Sequence, residues 1–209
     1  GESLKIAQEL GDKIRMVSSM YQLGNLAKMS GNLPEARHLY SECLKIAQYL
    51  GDKCVITSSS VELGHIAELL MSEGRWQDAH DILKQNKEIY KSLADQPNFA
   101  KTLLALAKSE QAIGYFEKAR WTYKDALHQF QKLKQQRNLA ITSAYLGRLE
   151  LQTGFVEDAI IHLNYAEKHF RQLGLKENLK VIRKLLESAN QLSIKQVEGE
   201  TWAKGPFNE

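Results

Sequence analysis

The side chains of this 209-residue chain that could bind or react recur along it at regular intervals. Asn25, His65, Lys108 and Arg148 each follow a small residue, Gly24, Gly64, Ala107 and Gly147, at steps of 40, 43 and 40. A carboxamide, an imidazole, an ammonium and a guanidinium in one register are hydrogen-bonding and carboxylate-holding groups, and Arg148 is suited to a two-pronged contact with a carboxylate. Covalent chemistry has no comparable signature. His38, His80, His128, His162 and His169 fall on helical stretches without the paired histidines and carboxylate of a metal site, so they read as surface or partly packed side chains. The chain shows no glycine-rich phosphate loop, nucleophile elbow or carboxylate pair, and neither an enzyme nor a cofactor or metal site is expected. Trp76, Trp121 and Tyr123 read as core or helix-edge aromatics rather than platforms for bases.

The bulk properties narrow the partners. A net charge of +3, with 25% charged residues, falls far short of the concentrated basic face of a nucleic-acid binder. Neither a signal peptide nor an apolar run of about 18 residues is present, so no membrane role is expected. Cys43 sits at a helix-core position and Cys54 in a linker, without a paired spacing, which points to a reducing, cytoplasmic setting. With 43% hydrophobic residues the chain can bury a substantial core.

The elements that must position these residues are set by an internal repeat. The segment SECLKIAQYLGDK at 41–53 restates GESLKIAQELGDK at 1–13, and alignment on it brings Ala36, Ala79, Ala119 and Ala159 into register. Five residues before each alanine stands a glycine, Gly31, Gly74, Gly114 or Gly154, read as the turn between two helices. The expected order is a half repeat at 1–10, full repeats at 13–50, 53–93, 97–133 and 137–173, a capping helix at 176–192 and a flexible tail at 194–209. A chain that opens inside a repeat is expected to be part of something longer. Apolar residues three and four apart, such as Ala36, Leu39, Tyr40, Cys43, Leu44 and Ala47, mark a buried stripe on each second helix. The second repeat carries three extra residues near Leu69–Glu73, close to one turn, so its first helix should project by roughly 4.5 Å, with Trp76 packed beneath.

Leu23-Gly24, Ala27, Ala36 and Tyr40, answered by Leu146-Gly147, Gly154, Ala159, Leu163 and Ala166, resemble the tetratricopeptide repeat over nearly all of residues 1–192. The period is 40 rather than 34, and Leu-Gly-Asp-Lys at 50–53 stands where the family's proline ends the second helix. This longer variety is similar to arrays in bacterial regulators and in animal scaffold proteins. The resemblance implies an all-α fold, a right-handed α-solenoid of antiparallel helix pairs, whose first helices line a concave groove.

By that resemblance, positions one residue after the small Gly or Ala face the groove. The implied partner-binding set is Tyr21, Asn25, Lys28, His65, Lys101, Leu104, Lys108, Tyr145, Arg148 and Gln152. The family's chaperone-tail clamp needs a lysine where Tyr21, Val61, Leu104 and Ala144 stand, so binding of that kind is not expected. The implied function is protein binding: a scaffold or sensor module that takes an extended or helical partner segment, preferably acidic. A second reading is self-association or autoinhibition, with the groove holding a neighbouring domain or the tail residues Trp202 and Phe207.

Overall fold

The computed structural model describes the backbone of residues 2–9 and 11–203 and the side chains of residues 2–7 and 11–194. Every described element is a helix: α1 (Glu2–Glu9), α2 (Lys13–Met29), α3 (Leu33–Leu50), α4 (Lys53–Ser72), α5 (Trp76–Ser92), α6 (Gln96–Ile113), α7 (Phe116–Lys132), α8 (Gln136–Gln152), α9 (Val156–Gln172) and α10 (Lys176–Ala203). They form two compact units, residues 1–109 and 110–209, with the division inside α6. In the first, α1 packs on α2, α2 on α3, α3 on α4 and α4 on α5. In the second, α7 packs on α8, α8 on α9 and α9 on α10. The described helices are arranged as antiparallel pairs joined by short turns.

Each helix boundary has a local cause. Asp12 and Asp52 cap α2 and α4, accepting from Arg15 N and from Cys54 N and Val55 N. Cys54 therefore belongs to the first turn of α4, not to a linker. Pro34 occupies the first turn of α3, where a missing N–H costs nothing. Pro97 does the same in the first turn of α6. α4 is 20 residues long against 17 for α2, which realises the three-residue insertion. Its extra turn buries Leu70 and Met71, and Trp76 packs half-buried against the same core.

A core lies within each unit. In the first, Tyr40, Leu63, Ile66, Ile82 and Leu83 pack with Leu106 of α6. Cys43 is fully buried, its Sγ directed at Val17 O (3.5 Å), and burial pushes the thiol up to about 11. In the second, Leu163, Ala166, Phe170, Ile182 and Leu186 close the α9–α10 end. The helix expected to stop at 192 continues through Ala203, past the point where the apolar periodicity ends; Lys195, Gln196 and Glu198 are residues of good helix propensity. Trp202 therefore lies on helical backbone; its side chain, and all of Phe207, are outside the described residues.

The turn after each second helix uses the left-handed backbone region. Gly51 (φ 70°) and Gly174 (φ 68°) enter it freely, whereas Ala94 (φ 55°) and Lys134 (φ 54°) occupy it at a cost. Lys134→Gly is expected to stabilise the chain by about 0.5–1 kcal/mol and Gly51→Ala to destabilise it comparably. Thermal melts of the two variants check the pair, and a lower melting temperature for Lys134→Gly would contradict it.

The helix-packing glycines are not equivalent either. A methyl on Gly147 would lie 2.8 Å from Leu163 Cγ and 3.2 Å from Ala159 O, and one on Gly24 would lie 2.9 Å from Tyr40 Cε1. On Gly64 the nearest atom would be Asn86 Nδ2 at 3.6 Å, an ordinary contact. Gly64→Ala should thus gain up to about 1 kcal/mol of helix propensity, while Gly147→Ala should lose about 1–3 kcal/mol to overpacking. Denaturant titration of both variants decides the matter; equal and opposite-to-expected shifts would show that the spacing is set elsewhere.

Candidate functional site

The side chains singled out on the first helices fall into one set per unit. In the first, Tyr21, Asn25 and Lys28 share a face of α2, at the helical spacing of four and three. The Tyr21 ring meets Tyr40 edge-on, with centroids 5.5 Å apart. The Tyr40 hydroxyl donates to Asn25 Oδ1 at 2.7 Å. Lys28 is ion-paired with Glu62 of α4, and His65 Nδ1 stands 3.4 Å from the same carboxylate oxygen. Three of the polar groups expected to meet a partner, Asn25, Lys28 and His65, are therefore engaged within the unit. Lys101, Leu104 and Lys108 share a face of α6, where Lys101 is exposed and Leu104 and Lys108 are half-buried.

Glu62 was not legible as part of this set, although it lies three residues before His65 in a helix. Burial alone would raise its pKa, but hydrogen bonds and charge from Lys28 and His65 outweigh that and hold it below 4.5. Tyr21 and Tyr40 are both pushed up, first by burial and then by the Glu62 charge.

In the second unit, Tyr145, Arg148 and Gln152 lie along one face of α8. The Tyr145 ring stacks parallel to Tyr123, 5° between planes and 6.2 Å between centroids. The Tyr123 hydroxyl donates to Gln111 Oε1 (3.0 Å), and Gln111 Nε2 donates to Gln152 Oε1 (3.1 Å). The Arg148 guanidinium stands over the Tyr145 ring at 5.6 Å from its centre.

Each unit has an apolar groove on this first-helix side. The groove in the first has a volume of about 270 Å³, with Ser18, Tyr21, Gln22 and Ala47 in its walls. The groove in the second has a volume of about 310 Å³ and runs between α8 and α10, with Ile141, Ala144, Tyr145 and Phe170 in the same four repeat positions, each 123 residues further on. Arg148 lines its edge.

A further polar cluster escaped the sequence reading. Glu150 is fully buried; Arg120 Nε donates to its Oε1 (3.4 Å) and His162 Nδ1 stands 2.6 Å from its Oε2. Arg120 also donates to Asp158 (2.5 Å) and lies over the Phe155 ring at 3.8 Å. Glu110, one repeat earlier, is equally buried, with Lys118 Nζ 3.0 Å from one carboxylate oxygen. The available signal was a glutamate at two equivalent positions where the earlier repeats carry Ala27 and Ala67. His162 is thus a tied structural side chain, and His80 is buried with Nδ1 3.3 Å from Ser109 Oγ. Trp121, read as a core or edge residue, is largely exposed at 69%. Among the described residues no three His, Cys, Asp or Glu side chains gather to hold a metal ion, and no helix is long and apolar enough to cross a membrane.

Comparison with known proteins rests on solved structures. BtubC from P. vanneervenii superposes with a TM-score of 0.64 at 22% identity, over 100% of this chain and 91% of that one. A signal transduction ATPase with numerous domains and a tetratricopeptide repeat sensor, from Pyrococcus horikoshii, gives 0.68 at 16% identity, over 97% of this chain and 33% of that one. The fold is that of a tetratricopeptide-like repeat array. A Rap protein complexed with competence and sporulation factor gives 0.56 at 15% identity, over 92% of this tetratricopeptide-like chain and 51% of the Rap protein. No family profile and no curated protein sequence matches the chain.

The Lys28–Glu62–His65 cluster makes stability depend on pH in a defined direction. Folding lowers the Glu62 pKa, so the contribution is complete above the ordinary carboxylate value of about 4.5 and is lost as pH falls through the lower folded value. Glu62→Gln should destabilise the chain at pH 7 and by less at pH 3. Urea titrations at both pH values test this, and a pH-independent difference would remove the charge pair as its cause.

Proposed function

We propose that this tetratricopeptide-like array is a protein-binding module, a scaffold or sensor that takes a segment of a partner protein on its first-helix faces. The observation that carries the reading is the recurrence of one groove in both units at equivalent repeat positions. A pair of packed helices has no need of such a groove. In each unit it leaves apolar wall exposed: Ile14 is 74% and Val181 58% accessible. Concave, mostly apolar sites with a few placed polar groups are where ligands bind. A Rap protein of similar fold, solved in complex with competence and sporulation factor, supports a binding role.

The physical basis is a rigid receptor. The groove walls stand on helices whose packing is fixed by Ala36, Ala159, Tyr40 and Leu163, all fully buried, so a bound segment orders itself without first ordering the site. Peptides enriched by display selection on the intact chain should bind at least about tenfold more weakly to Ile14→Asp or Val181→Asp, with helicity unchanged by circular dichroism. Selected peptides that bind both variants as well as the parent would overturn the groove assignment.

A further inference from the structure

Five cations of the second unit are held by carboxylates. Arg120 is paired with Glu150 and Asp158, Arg171 and Arg183 with Glu167, Lys118 with Glu110 and Lys180 with Glu177. Arg148 has no carboxylate partner among the described residues; its contact is the face of Tyr145. That ring is itself fixed by its parallel stacking on Tyr123, which the Gln111 hydrogen bond holds in place. An exposed guanidinium is thus carried on a supported aromatic plane at the edge of the α8–α10 groove, whose walls are Ile141, Ala144, Val181 and Leu185. The equivalent position in the first unit is Asn25, which accepts the Tyr40 hydrogen bond, so the feature belongs to this groove and not to the repeat in general.

We propose that the α8–α10 groove recognises a protein segment carrying an aspartate or glutamate beside an apolar anchor. The proposal rests on the protein-binding reading given above and adds the chemistry of the ligand. The anchor would enter between Ala144 and Val181 while the carboxylate takes the Arg148 guanidinium bidentately. Ala144 and Arg148 are one turn apart on α8, about 6 Å along its axis. A ligand matches this with the acid four residues from the anchor in a helix, or two residues away in an extended chain. A nucleic acid is the poorer occupant, since its phosphates call for several cations in a row and the groove offers a single guanidinium among apolar walls.

The test is a display library of random peptides selected in parallel on the intact chain and on Arg148→Glu. Peptides from the parent should carry Asp or Glu at one of those two spacings from a large apolar residue. They should bind Arg148→Glu at least about tenfold more weakly, and Arg148→Lys should recover only part of the loss. Selection on Arg148→Glu should return Lys or Arg at the acidic position. Arg148 is exposed, and matching thermal melts establish that the variants are folded. Peptides with no acidic preference, or with unchanged affinity for Arg148→Glu, overturn this proposal; if those peptides are still lost on Val181→Asp, the protein-binding reading stands without it. A library that yields no binder on the parent chain overturns both.

Discussion

The constraint on which the rest of the structure depends is the close approach of the two helices in each pair. Ala36, Ala79, Ala119 and Ala159 are wholly buried on the second helices, and Gly24 and Gly147 on the first leave no room for a methyl group against Tyr40 and Leu163. Interiors at this packing density transmit the position of one backbone to the next. Large residues at 40, 83, 123 and 163 then fill the space that small ones leave, each nearly or fully removed from solvent. The register of a first-helix side chain is thereby fixed by the packing of the residue just before it. That is why residues such as Arg148 can be placed with no support from a loop.

The same constraint explains where charge has entered the core. At the third position after the packing glycine the first two repeats carry Ala27 and Ala67, whereas the later two carry Glu110 and Glu150. A buried carboxylate is tolerable only with partners, since the desolvation of a lone one costs several kcal/mol. Glu150 receives Arg120 and His162 from the two flanking second helices, so an apolar contact has been exchanged for a directional one. Replacing a buried ion pair whole by apolar residues is often neutral for stability, so the cost lies in losing a single partner. Breaking it by removing one partner would leave an uncompensated charge in the second unit.

Much of the fold was legible because repetition averages the noise of local signals. A single Gly-Asp pair is weak, but Gly11-Asp12 and Gly51-Asp52 at one offset fixed two helix starts, and the three extra residues of α4 appeared as a break in an otherwise regular count. Where the repeat did not constrain the chain, the reading failed. The end of α10 was placed where apolar periodicity stops, yet the helix runs on to Ala203, because periodicity reports burial and not helix formation. For the candidate site, the shared faces of Tyr21, Asn25 and Lys28 and of Tyr145, Arg148 and Gln152 were readable from spacing alone. Which of these groups were already satisfied was not, since that depends on Glu62 and Tyr40 reaching in from other helices.

That difference in satisfaction separates the two units chemically despite their common pattern. In the first, Lys28 and His65 are balanced by Glu62, and among the described residues no guanidinium lines the groove. In the second, the neighbouring carboxylates at Glu150, Asp158 and Glu167 are consumed by Arg120, His162, Arg171 and Arg183. Those carboxylates hold their own cations in the buried network and on the paired surface of α9 and α10, and Arg148 meets an aromatic face in place of an anion. The guanidinium keeps its five donors, and stacking on Tyr145 limits the freedom that a ligand would otherwise have to remove. Divergence between repeats at a few polar positions, with the helix-packing alanines kept, therefore suffices to give similar grooves different edge chemistry.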